Sequence, residues 1–445
     1  MRPWLGNALW WLGCWPERLA FERAARRPEA AQRRRLFELV GTSYERFRES
    51  YPVVEFDDLE RAGWPGLGRV LHWQPTGGSC GATRKIPYTR ALRAEFQRAV
   101  AAWVADMFWR QRSLLDGRAY WVITPPVTRP ESGSFGDDAG YLGPLARRIL
   151  DSVLVRPDYR PESYWMDTAR ALLAARDLRL VSLWSPTYWL LLVECIQANG
   201  LRPPNSRPRD WWPHLQAISC WADGPSRAYA HKLQGLFPQV EIAAKGLLAT
   251  EGVVTIPIAG RRPLALRSHF FEFESEGRVY PAWQLEQGRE YAVLLTTGGG
   301  LRRYRLGDRV RVEGCYRATP SLVFVGREQV ADRFGEKLHF AHVGRALEPF
   351  EFAMLAFEEG GYVLFFEGEV PDAPARVEQE LLANFHYRHC LDLGQLRPLR
   401  GFRLVGGTAQ YTRVCQLLGQ RLGEIKPMPV HPYEGWSQAL EGRWV

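Results

Sequence analysis

The stretch TTGGGLRRYRLGDRV, residues 296–310, constrains the fold more than any other part of the sequence. Three consecutive glycines precede Tyr304 by four residues, and Asp308 follows Gly307 directly. A short carboxylate after a glycine is suited to binding a ribose diol. The alternative from the residues alone is that the glycines form the turn of a β-hairpin.

The chain around this stretch alternates between strand-like and helix-like patterns, which predicts an α/β fold. From residue 240 onward, short strand patterns separated by tight turns predict a β-rich subdomain. The preceding residues predict a larger mixed α/β body. Its predicted elements are helices at 17–50, 90–109, 145–155, 167–177 and 187–200, and strands at 69–73, 119–124 and 179–184.

A polar, glycine-bearing segment follows Arg327 and precedes a second, smaller set of elements. These are strands at 361–368 and 401–407 and a helix at 375–389. We place a domain boundary at 326–338, so the sequence predicts a large domain over 1–330 and a small α+β C-terminal lid domain over 331–445. The length supports two domains, because a single core rarely grows beyond about 250–300 residues.

A second informative stretch is TGGSCGATRKIPYT, residues 76–89, which lies between a predicted strand and a strand-like segment. Glycines let backbone N–H groups converge on phosphate oxygens, and hydroxyl side chains and one ammonium add donors. The stretch lacks the GK[ST] helix start of a Walker loop. The residues alone therefore leave a phosphate-binding loop and an ordinary turn as alternatives.

The stretch KGLLATEGVVTIP, residues 245–257, places Thr250 and Glu251 at the end of a predicted strand. A carboxylate at that position is available to a metal ion or a nucleotide. The structural alternative is that Glu251 caps a turn.

The stretch GREQVADRFGEKL, residues 326–338, combines Arg327, Asp332 and Lys337 at the proposed domain boundary. We interpret it as a hinge. The structural alternative is that Arg327 and Asp332 form a surface ion pair.

The formal charge of +9 does not indicate a nucleic-acid partner. The arginines are scattered among carboxylates, as in RRRLFELVGTSYERFRE at 33–49, whereas a nucleic-acid binder gathers its cations into a stripe with aromatic residues. We therefore predict a solvated surface with a site for an anionic ligand.

The cations themselves are almost all arginine. The only lysines are Lys85, Lys232, Lys245, Lys337 and Lys426, and the other 53 cationic side chains are arginines. A compact ammonium on a flexible stem acts as a point charge on phosphate in places that a planar guanidinium does not fit. We therefore expect functional roles for the lysines in the candidate stretches, whereas Lys232 lies in a polar helical stretch typical of surface.

Seven widely spaced cysteines without a CxxC pair predict reduced thiols in a cytoplasm, without a disulfide framework or a zinc site. The apolar run near the N-terminus is too short to span a bilayer, so we predict a packed helix and no membrane insertion. The sequence does not define the oligomeric state.

In this order and spacing, the four stretches resemble the acyl acid amido synthetases of the Gretchen Hagen family, in their bacterial form, within the adenylate-forming, firefly-luciferase-like superfamily. TGGSCGATRK is similar to the phosphate loop of that family, and ATEG at 249–252 is similar to its second motif. YRLGD at 304–308 matches the tyrosine-arginine-x-glycine-aspartate motif at every fixed position, and with the later GEKL it is the most specific part. Further similarity at 135–143, 178–192 and 384–396 extends the resemblance over most of the chain from about residue 70.

The resemblance implies roles for individual residues. The phosphates of ATP would be bound by Thr76, Gly77, Gly78, Ser79, Cys80, Gly81 and Lys85. The nucleotide would be bound by Thr250, Glu251, Tyr304, Asp308 and Arg327, with Glu251 holding Mg²⁺ and Asp308 the ribose hydroxyls. Lys426, in GEIKPMP, lies where the family places a lysine that reaches the adenylate from the small domain, so it joins Lys85 as a candidate catalytic residue.

Two positions depart from the family pattern. Gly77 and Cys80 stand where the family more often has hydroxyl residues, which implies fewer hydroxyl donors to phosphate. For the acyl pocket, Trp184 and Tyr188 are candidates because aromatic side chains suit an apolar or aryl acid, although an apolar helix rich in aromatics is also typical of core.

The resemblance therefore implies an enzyme that uses ATP and Mg²⁺ to adenylate a small-molecule carboxylic acid and then transfers the acyl group to an amino acid or another amine. One alternative is transfer to a thiol, as in coenzyme A or a carrier protein. An alternative of another class is a nucleotide-binding regulatory protein with impaired catalysis, which the departures at Gly77 and Cys80 motivate.

Overall fold

The computed structural model describes residues 3–64, 67–76, 84–122, 152–327 and 330–445. Within these ranges the chain has the predicted mixed α/β structure. The helices are α1 (Pro3–Ala25), α2 (Pro28–Val40), α3 (Tyr44–Ser50), α4 (Phe56–Arg61), α5 (Arg90–Arg110), α6 (Tyr164–Ala174), α7 (Pro186–Ala198), α8 (Pro208–Trp211), α9 (Arg227–Leu236), α10 (Phe340–Leu347), α11 (Ala373–Leu381), α12 (Phe385–Asp392), α13 (Gly407–Leu417) and α14 (Trp436–Ala439).

The strands follow the same numbering. They are β1 (Val70–Pro75), β2 (Lys85–Thr89), β3 (Arg118–Trp121), β4 (Leu178–Ser182), β5 (Ala217–Cys220), β6 (Glu241–Ala244), β7 (Leu248–Ala249), β8 (Gly252–Val253), β9 (Phe270–Ser275), β10 (Arg278–Pro281), β11 (Glu290–Thr296), β12 (Tyr304–Tyr316), β13 (Thr319–Arg327), β14 (Val330–Ala331), β15 (Leu338–His339), β16 (Ala353–Glu358), β17 (Gly361–Glu367), β18 (Arg397–Leu404), β19 (Val430–His431) and β20 (Gly442–Trp444).

A parallel four-stranded sheet forms the first structural layer that matters for the site. Its order is β3-β4-β5-β6, and every neighbouring pair is parallel. The strands are mostly apolar and buried, as expected for a parallel sheet covered by helices. Because all four strands run the same way, the residues that follow them lie side by side along one carboxyl edge.

The second layer is the antiparallel sheet β10-β9-β11-β12-β13, which the sequence predicts as a β-rich subdomain. β12 carries the YRLGD motif and bulges against β11, because Ala292 pairs with Arg309 whereas Leu294 pairs with Arg305. Gly307 lies in this bulge with a positive φ of 82°, which a glycine adopts without steric cost.

The glycine run at 298–300 forms the connection of the β11–β12 hairpin, so the structural alternative for it is correct. The connection also packs on α5: Thr89 Oγ1 donates to the Gly298 carbonyl over 2.8 Å, and Gly298 N donates to Glu95 Oε1 over 2.8 Å. A Cβ on Gly298 would lie 2.7 Å from that of Ala91. The glycines therefore permit a close approach of the hairpin to the helix.

The C-terminal part contains a mixed sheet of order β19-β16-β17-β18-β20. Alternating residues of its central strands face opposite sides: Met354 and Phe365 belong to one apolar cluster with the helices of the parallel sheet, whereas Leu355 and Leu364 belong to another with α11 and α12. One apolar cluster thus contains residues from both sides of residue 330, and the division into two domains there stays a prediction.

Three predicted elements differ in detail. The predicted helix at 17–50 is part of three helices, α1 to α3, because Gly41 ends α2 in the left-handed conformation and Ser43 caps α3. The predicted helix at 375–389 is also two helices, since Asn384 caps α12 through its side chain. Of the predicted helix at 145–155, residues 145–151 lie outside the described residues. The described part, 152–155, is not helical: Leu154 forms a parallel β-bridge with Ala119 beside β3, so the helix prediction is wrong there.

The N-terminal run forms α1 and packs on α5 through Trp10 and Phe108. Among the described residues, no helix has both the length and the apolar character needed to cross a membrane. The cysteines in the described ranges are free thiols, at 14, 195, 220, 315, 390 and 415.

Candidate active site

The glycine-rich loop is closed at its base by a hairpin. β1 pairs antiparallel with β2, Pro75 stands opposite Lys85, and Thr76 N donates to the Arg84 carbonyl over 2.8 Å. Lys85 therefore occupies the first residue of the strand that leaves the loop. Gly77, Gly78, Ser79, Cys80 and Gly81 lie outside the described residues, and their phosphate-binding roles stay predictions.

The second candidate stretch lies beside this hairpin. Tyr88 Oη donates to the Thr250 carbonyl over 3.2 Å, which joins β2 to the turn between β7 and β8. Glu251, the next residue, is 6% exposed. Burial raises the pKa of its carboxyl, while the nearby Arg327 and Arg84 oppose that change.

The YRLGD motif meets Arg327 across the antiparallel sheet. Asp308 and Arg327 are register partners on β12 and β13, and Arg327 Nε donates to Asp308 Oδ1 over 2.7 Å. Asp308 raises the pKa of Arg327. Tyr304 is buried, and burial and then the charge of Glu251 raise the pKa of its phenol, so Tyr304 remains neutral. The charges of Glu251 and Asp308 thus act on the same small region.

Lys426 reaches this region from the C-terminal part. Its Nζ lies 4.2 Å from the ring centroid of Trp221, and the residue as a whole is exposed to solvent. Desolvation by the surrounding protein, followed by repulsion from Arg327, lowers the pKa of Lys426 to about 8. The carboxylates of Asp308, Glu424 and Glu251 act in the opposite direction. The structure therefore brings Lys426 into the electrostatic field of the predicted nucleotide-binding residues.

An open cleft of about 820 Å³ runs along one side of this group. Phe56, Arg84, Gly307 and Arg327 line the end nearest the site, and the guanidinium of Arg84 lies 5.1 Å from the ring centroid of Phe56. The remaining wall contains both cations and carboxylates, among them Arg289, Glu290 and Arg305. The cleft gives a solvent route to the Asp308–Arg327 pair.

The other arginines of the LRRYR segment have structural roles. Arg303 pairs with the buried Glu272 over 2.8 Å, and Arg305 pairs with Glu274 over 2.9 Å. Arg302 donates to backbone carbonyls, including that of Thr297 over 2.6 Å. Arg327, on the neighbouring strand, is the arginine that contacts the motif carboxylate.

The predicted hinge is a small hairpin in which β14 pairs with β15. Asp332 accepts from Gly335 N over 2.7 Å, and the Lys337 carbonyl accepts from Asn384 Nδ2 over 2.9 Å. Between them, the fully buried Glu336 accepts from Phe334 N over 2.8 Å and from Tyr362 Oη over 2.6 Å. The turn is thus tied to the C-terminal sheet, and the hinge motion stays a prediction.

The two aromatic candidates for an acyl pocket lie in different surroundings. Trp184 follows β4 at the carboxyl edge and is half-buried, 4.7 Å from Lys245 Nζ to the ring centroid. Tyr188 is buried in the core, where its hydroxyl lies 2.8 Å from that of Tyr120 and 2.7 Å from that of Tyr164. The structure therefore brings Trp184, but not Tyr188, to the edge that Lys426 approaches.

Two residues near the site were missed by the sequence reasoning. Arg84 belongs to the TRK segment beside the glycine loop, so its charge and position were visible in the sequence. Trp221 follows a short buried strand, and its nearness to Lys426 arises from a contact across more than 200 residues of chain. No local sequence pattern indicates such a contact.

The described residues contain no cluster of three or more metal-ligating side chains. Within the described ranges, Glu251 also forms no ion pair, although its carboxyl is buried. A single carboxylate is the usual protein contribution to a Mg²⁺ ion that is held mainly by phosphates and water. A single buried carboxylate is compatible with such an ion, and the role of Glu251 as its ligand stays a prediction.

Residues 263–327, which include the YRLGD motif and Arg327, match the family described as "GH3 family central domain". Rice (Oryza sativa subsp. japonica) "Probable indole-3-acetic acid-amido synthetase GH3.6" is 28% identical over 183 residues, which are 37% of this chain and 37% of the relative. "Jasmonoyl--L-amino acid synthetase JAR6" of Nicotiana attenuata is 28% identical over 37% of this chain and 34% of the relative. The chain therefore aligns with little more than a third of the length of these curated relatives.

The fold comparison extends over almost the whole chain. The solved structure of "GH3.15 acyl acid amido synthetase" matches with a TM-score of 0.73 and 16% identity, covering 95% of this chain and 92% of that one. The structure described as "AtGH3.15 acyl acid amido synthetase in complex with 2,4-DB" matches with a TM-score of 0.72. These matches agree with the resemblance drawn from the sequence: residues 263–327 match the GH3 family central domain, and the chain has a fold similar to that of the solved GH3.15 acyl acid amido synthetase.

Proposed function

We propose that this protein is an ATP-dependent acyl acid amido synthetase, a carboxylate–amine ligase that forms AMP. The observation that carries the proposal is the Asp308–Arg327 pair, placed within electrostatic reach of both Glu251 and Lys426. The group combines a carboxylate for ribose hydroxyls, a carboxylate for a metal ion and two cations for phosphate. Asp308 and Arg327 lie inside the segment 263–327 that matches the GH3 family central domain, whereas Glu251 and Lys426 lie outside it.

In the first half-reaction, a carboxylate oxygen of the acid attacks the α-phosphorus of ATP. A new O–P bond forms, the bond between the α- and β-phosphates breaks, and pyrophosphate leaves with its charge. Lys85 at the base of the glycine loop and Lys426 offset the negative charge that develops on the phosphate oxygens. Asp308 would hold the ribose, and Glu251 would hold a Mg²⁺ ion that would supply further charge compensation.

In the second half-reaction, the amine of an amino acid attacks the acyl carbon of the mixed anhydride. The C–N bond forms, the bond from the acyl carbon to the phosphate oxygen breaks, AMP leaves, and the amine releases one proton. A rotation of the C-terminal part about 326–338 would admit the amine between the two steps. The free thiols of the described ranges suit the cytoplasmic location that we also propose.

ATP–pyrophosphate exchange across a panel of aliphatic and aryl carboxylic acids tests the adenylation step. We expect exchange with at least one acid. Measurable ATP binding without exchange for any acid would instead favour a regulatory nucleotide-binding protein.

The acceptor is tested separately, with the acid that supports the fastest exchange. That acid and ATP are incubated with amino acids, with coenzyme A or with no acceptor, and the products are separated by mass. We expect an amide with an amino acid. A thioester as the sole product would contradict the amine ligase and support the thiol alternative.

A further inference from the structure

The backbone segment that carries Lys426 is held at the carboxyl edge of the parallel sheet by two hydrogen bonds. Tyr411 Oη donates to the Lys426 carbonyl over 2.8 Å, and Ser185 N donates to the Gly423 carbonyl over 3.3 Å. These bonds fix the backbone, but the four-carbon stem of a lysine leaves its ammonium free to sample several positions. A further contact is needed to fix the charge.

Four charged groups act on that ammonium, and none of them holds it directly. Arg327 repels it, while Asp308, Glu251 and Glu424 attract it. Within the described ranges, Lys426 forms no ion pair with these carboxylates. The ammonium lies against the Trp221 ring, at 4.2 Å from Nζ to the ring centroid, a distance at which a cation and an aromatic face attract each other.

Trp221 is itself held by the sheet. Its backbone N donates to the Trp184 carbonyl over 2.9 Å, continuing the parallel pairing of β4 and β5, and the two indole rings lie 5.7 Å apart. Lys245, which follows β6, lies 4.7 Å from the Trp184 ring and donates to Ser182 Oγ over 2.6 Å. The ring that Lys426 contacts is therefore positioned by three neighbouring strand ends.

We propose that Trp221 is a positioning residue that holds the Lys426 ammonium over the carboxyl edge by a contact between the cation and the indole face. The inference rests on the proposed adenylation, in which Lys426 acts on the α-phosphate. Loss of one such contact corresponds to a decrease of roughly 2- to 30-fold in the rate that depends on it. Phenylalanine keeps an aromatic face, whereas leucine removes it.

The contact itself is tested by NMR after reductive ¹³C-methylation of the amines. The chain has only five lysines, so the spectrum is simple, and Lys426→Arg identifies the Lys426 signal. We expect the ring current of Trp221 to displace the methyl signal of Lys426 upfield, and Trp221→Leu to abolish that displacement. Trp109→Leu is the matched control, because Trp109 is 52% exposed and lies on α5. A Lys426 signal that does not change in Trp221→Leu would overturn the proposal.

The consequence for catalysis is tested by a double-mutant cycle in ATP–pyrophosphate exchange. Trp221→Leu should decrease kcat by 2- to 30-fold, Trp221→Phe should restore part of it, and Trp221→Leu should have no further effect in a Lys426→Ala background. Multiplicative effects of the two single variants would contradict positioning and indicate independent structural damage. Absence of exchange in the wild-type protein would refute the proposed function instead, and the NMR experiment would then still decide the contact.

Discussion

Asp308 and Arg327 are 19 residues apart in sequence, yet they are register partners on adjacent strands, joined by a hydrogen bond of 2.7 Å. Asp308 is 3% exposed, whereas the side chain of Arg327 is 37% exposed and lines the open cleft. The pair thus places a buried carboxylate and an accessible guanidinium at one position. A hydrogen bond from the carboxylate to a ribose and a contact from the guanidinium to a phosphate are both compatible with that arrangement.

We predict that Asp308→Ala decreases kcat/KM for ATP in the exchange reaction by roughly 10- to 100-fold. A hydrogen bond to a charged group contributes about 1.5–3 kcal/mol, and the substitution also leaves Arg327 without its partner. The matched control is Asp392→Ala, which removes an exposed carboxylate at the end of α12 and should leave the exchange unchanged. Full activity in Asp308→Ala would remove this residue from the site.

Lys85 gives a second prediction, because it leads the strand that emerges from the glycine loop. Lys85→Ala should decrease the exchange rate by roughly 100-fold or more through loss of a point charge on phosphate. Lys232→Ala is the control, because Lys232 forms an exposed ion pair with Glu351 and is not among the candidate site residues. Equal activity of the two variants would contradict a role for Lys85.

The lowered pKa of Lys426 gives the pH dependence of the first half-reaction. The ammonium is charged below about pH 8 and neutral above it, so adenylation should decline as the pH rises through about 8. An arginine at this position stays charged throughout, because guanidinium groups do not deprotonate in proteins. Lys426→Arg should therefore be slower but lack the decline near pH 8, as measured from kcat of exchange between pH 6 and pH 9.5. An unchanged decline in that variant would assign it to another group.

Glu251 gives a prediction about the metal ion. Glu251→Gln keeps the shape of the side chain but removes the charge that a Mg²⁺ ligand needs. We expect the Mg²⁺ concentration for half-maximal exchange to rise by roughly 10-fold or more, while saturating Mg²⁺ restores part of the rate. Glu194→Gln, on α7, serves as the control. The same Mg²⁺ dependence in Glu251→Gln and the wild-type protein would exclude the carboxylate as a ligand.

Glu95 gives a prediction about stability rather than chemistry. This fully buried carboxylate pairs with Arg35, lies 3.0 Å from His269 Nδ1 and accepts from Gly298 N. Removing one partner of a buried pair leaves an uncompensated charge and costs about 3–5 kcal/mol. Glu95→Ala should therefore shift its unfolding transition to markedly lower urea concentrations, as followed by circular dichroism. Glu29→Ala removes an exposed pair with Arg33 and should change the transition little.

Local patterns in the sequence predict several elements around the candidate site, but not the contacts that bring its residues together. The strand before Thr76, the strand β2 and the helix α5 all follow from local patterns of apolar residues and caps. The partnership of Asp308 with Arg327 depends on the bulged register of two strands, and the contact of Trp221 with Lys426 depends on how distant parts of the chain pack. Local patterns carry no information on either contact. The expectation that these stretches form one site came from the family resemblance, not from their spacing in the sequence.

The apolar cluster shared across residue 330 links the proposed rotation to temperature. Phe352 and Tyr411 belong to the same cluster as Trp189 and Leu192, so any rotation of the C-terminal part must shear or uncover apolar surface. Exposing such surface carries a positive heat-capacity change, which makes the enthalpy of the motion vary with temperature. The step that admits the amine would then give a curved Eyring plot, while the adenylation step, which needs no such exposure, would stay close to linear.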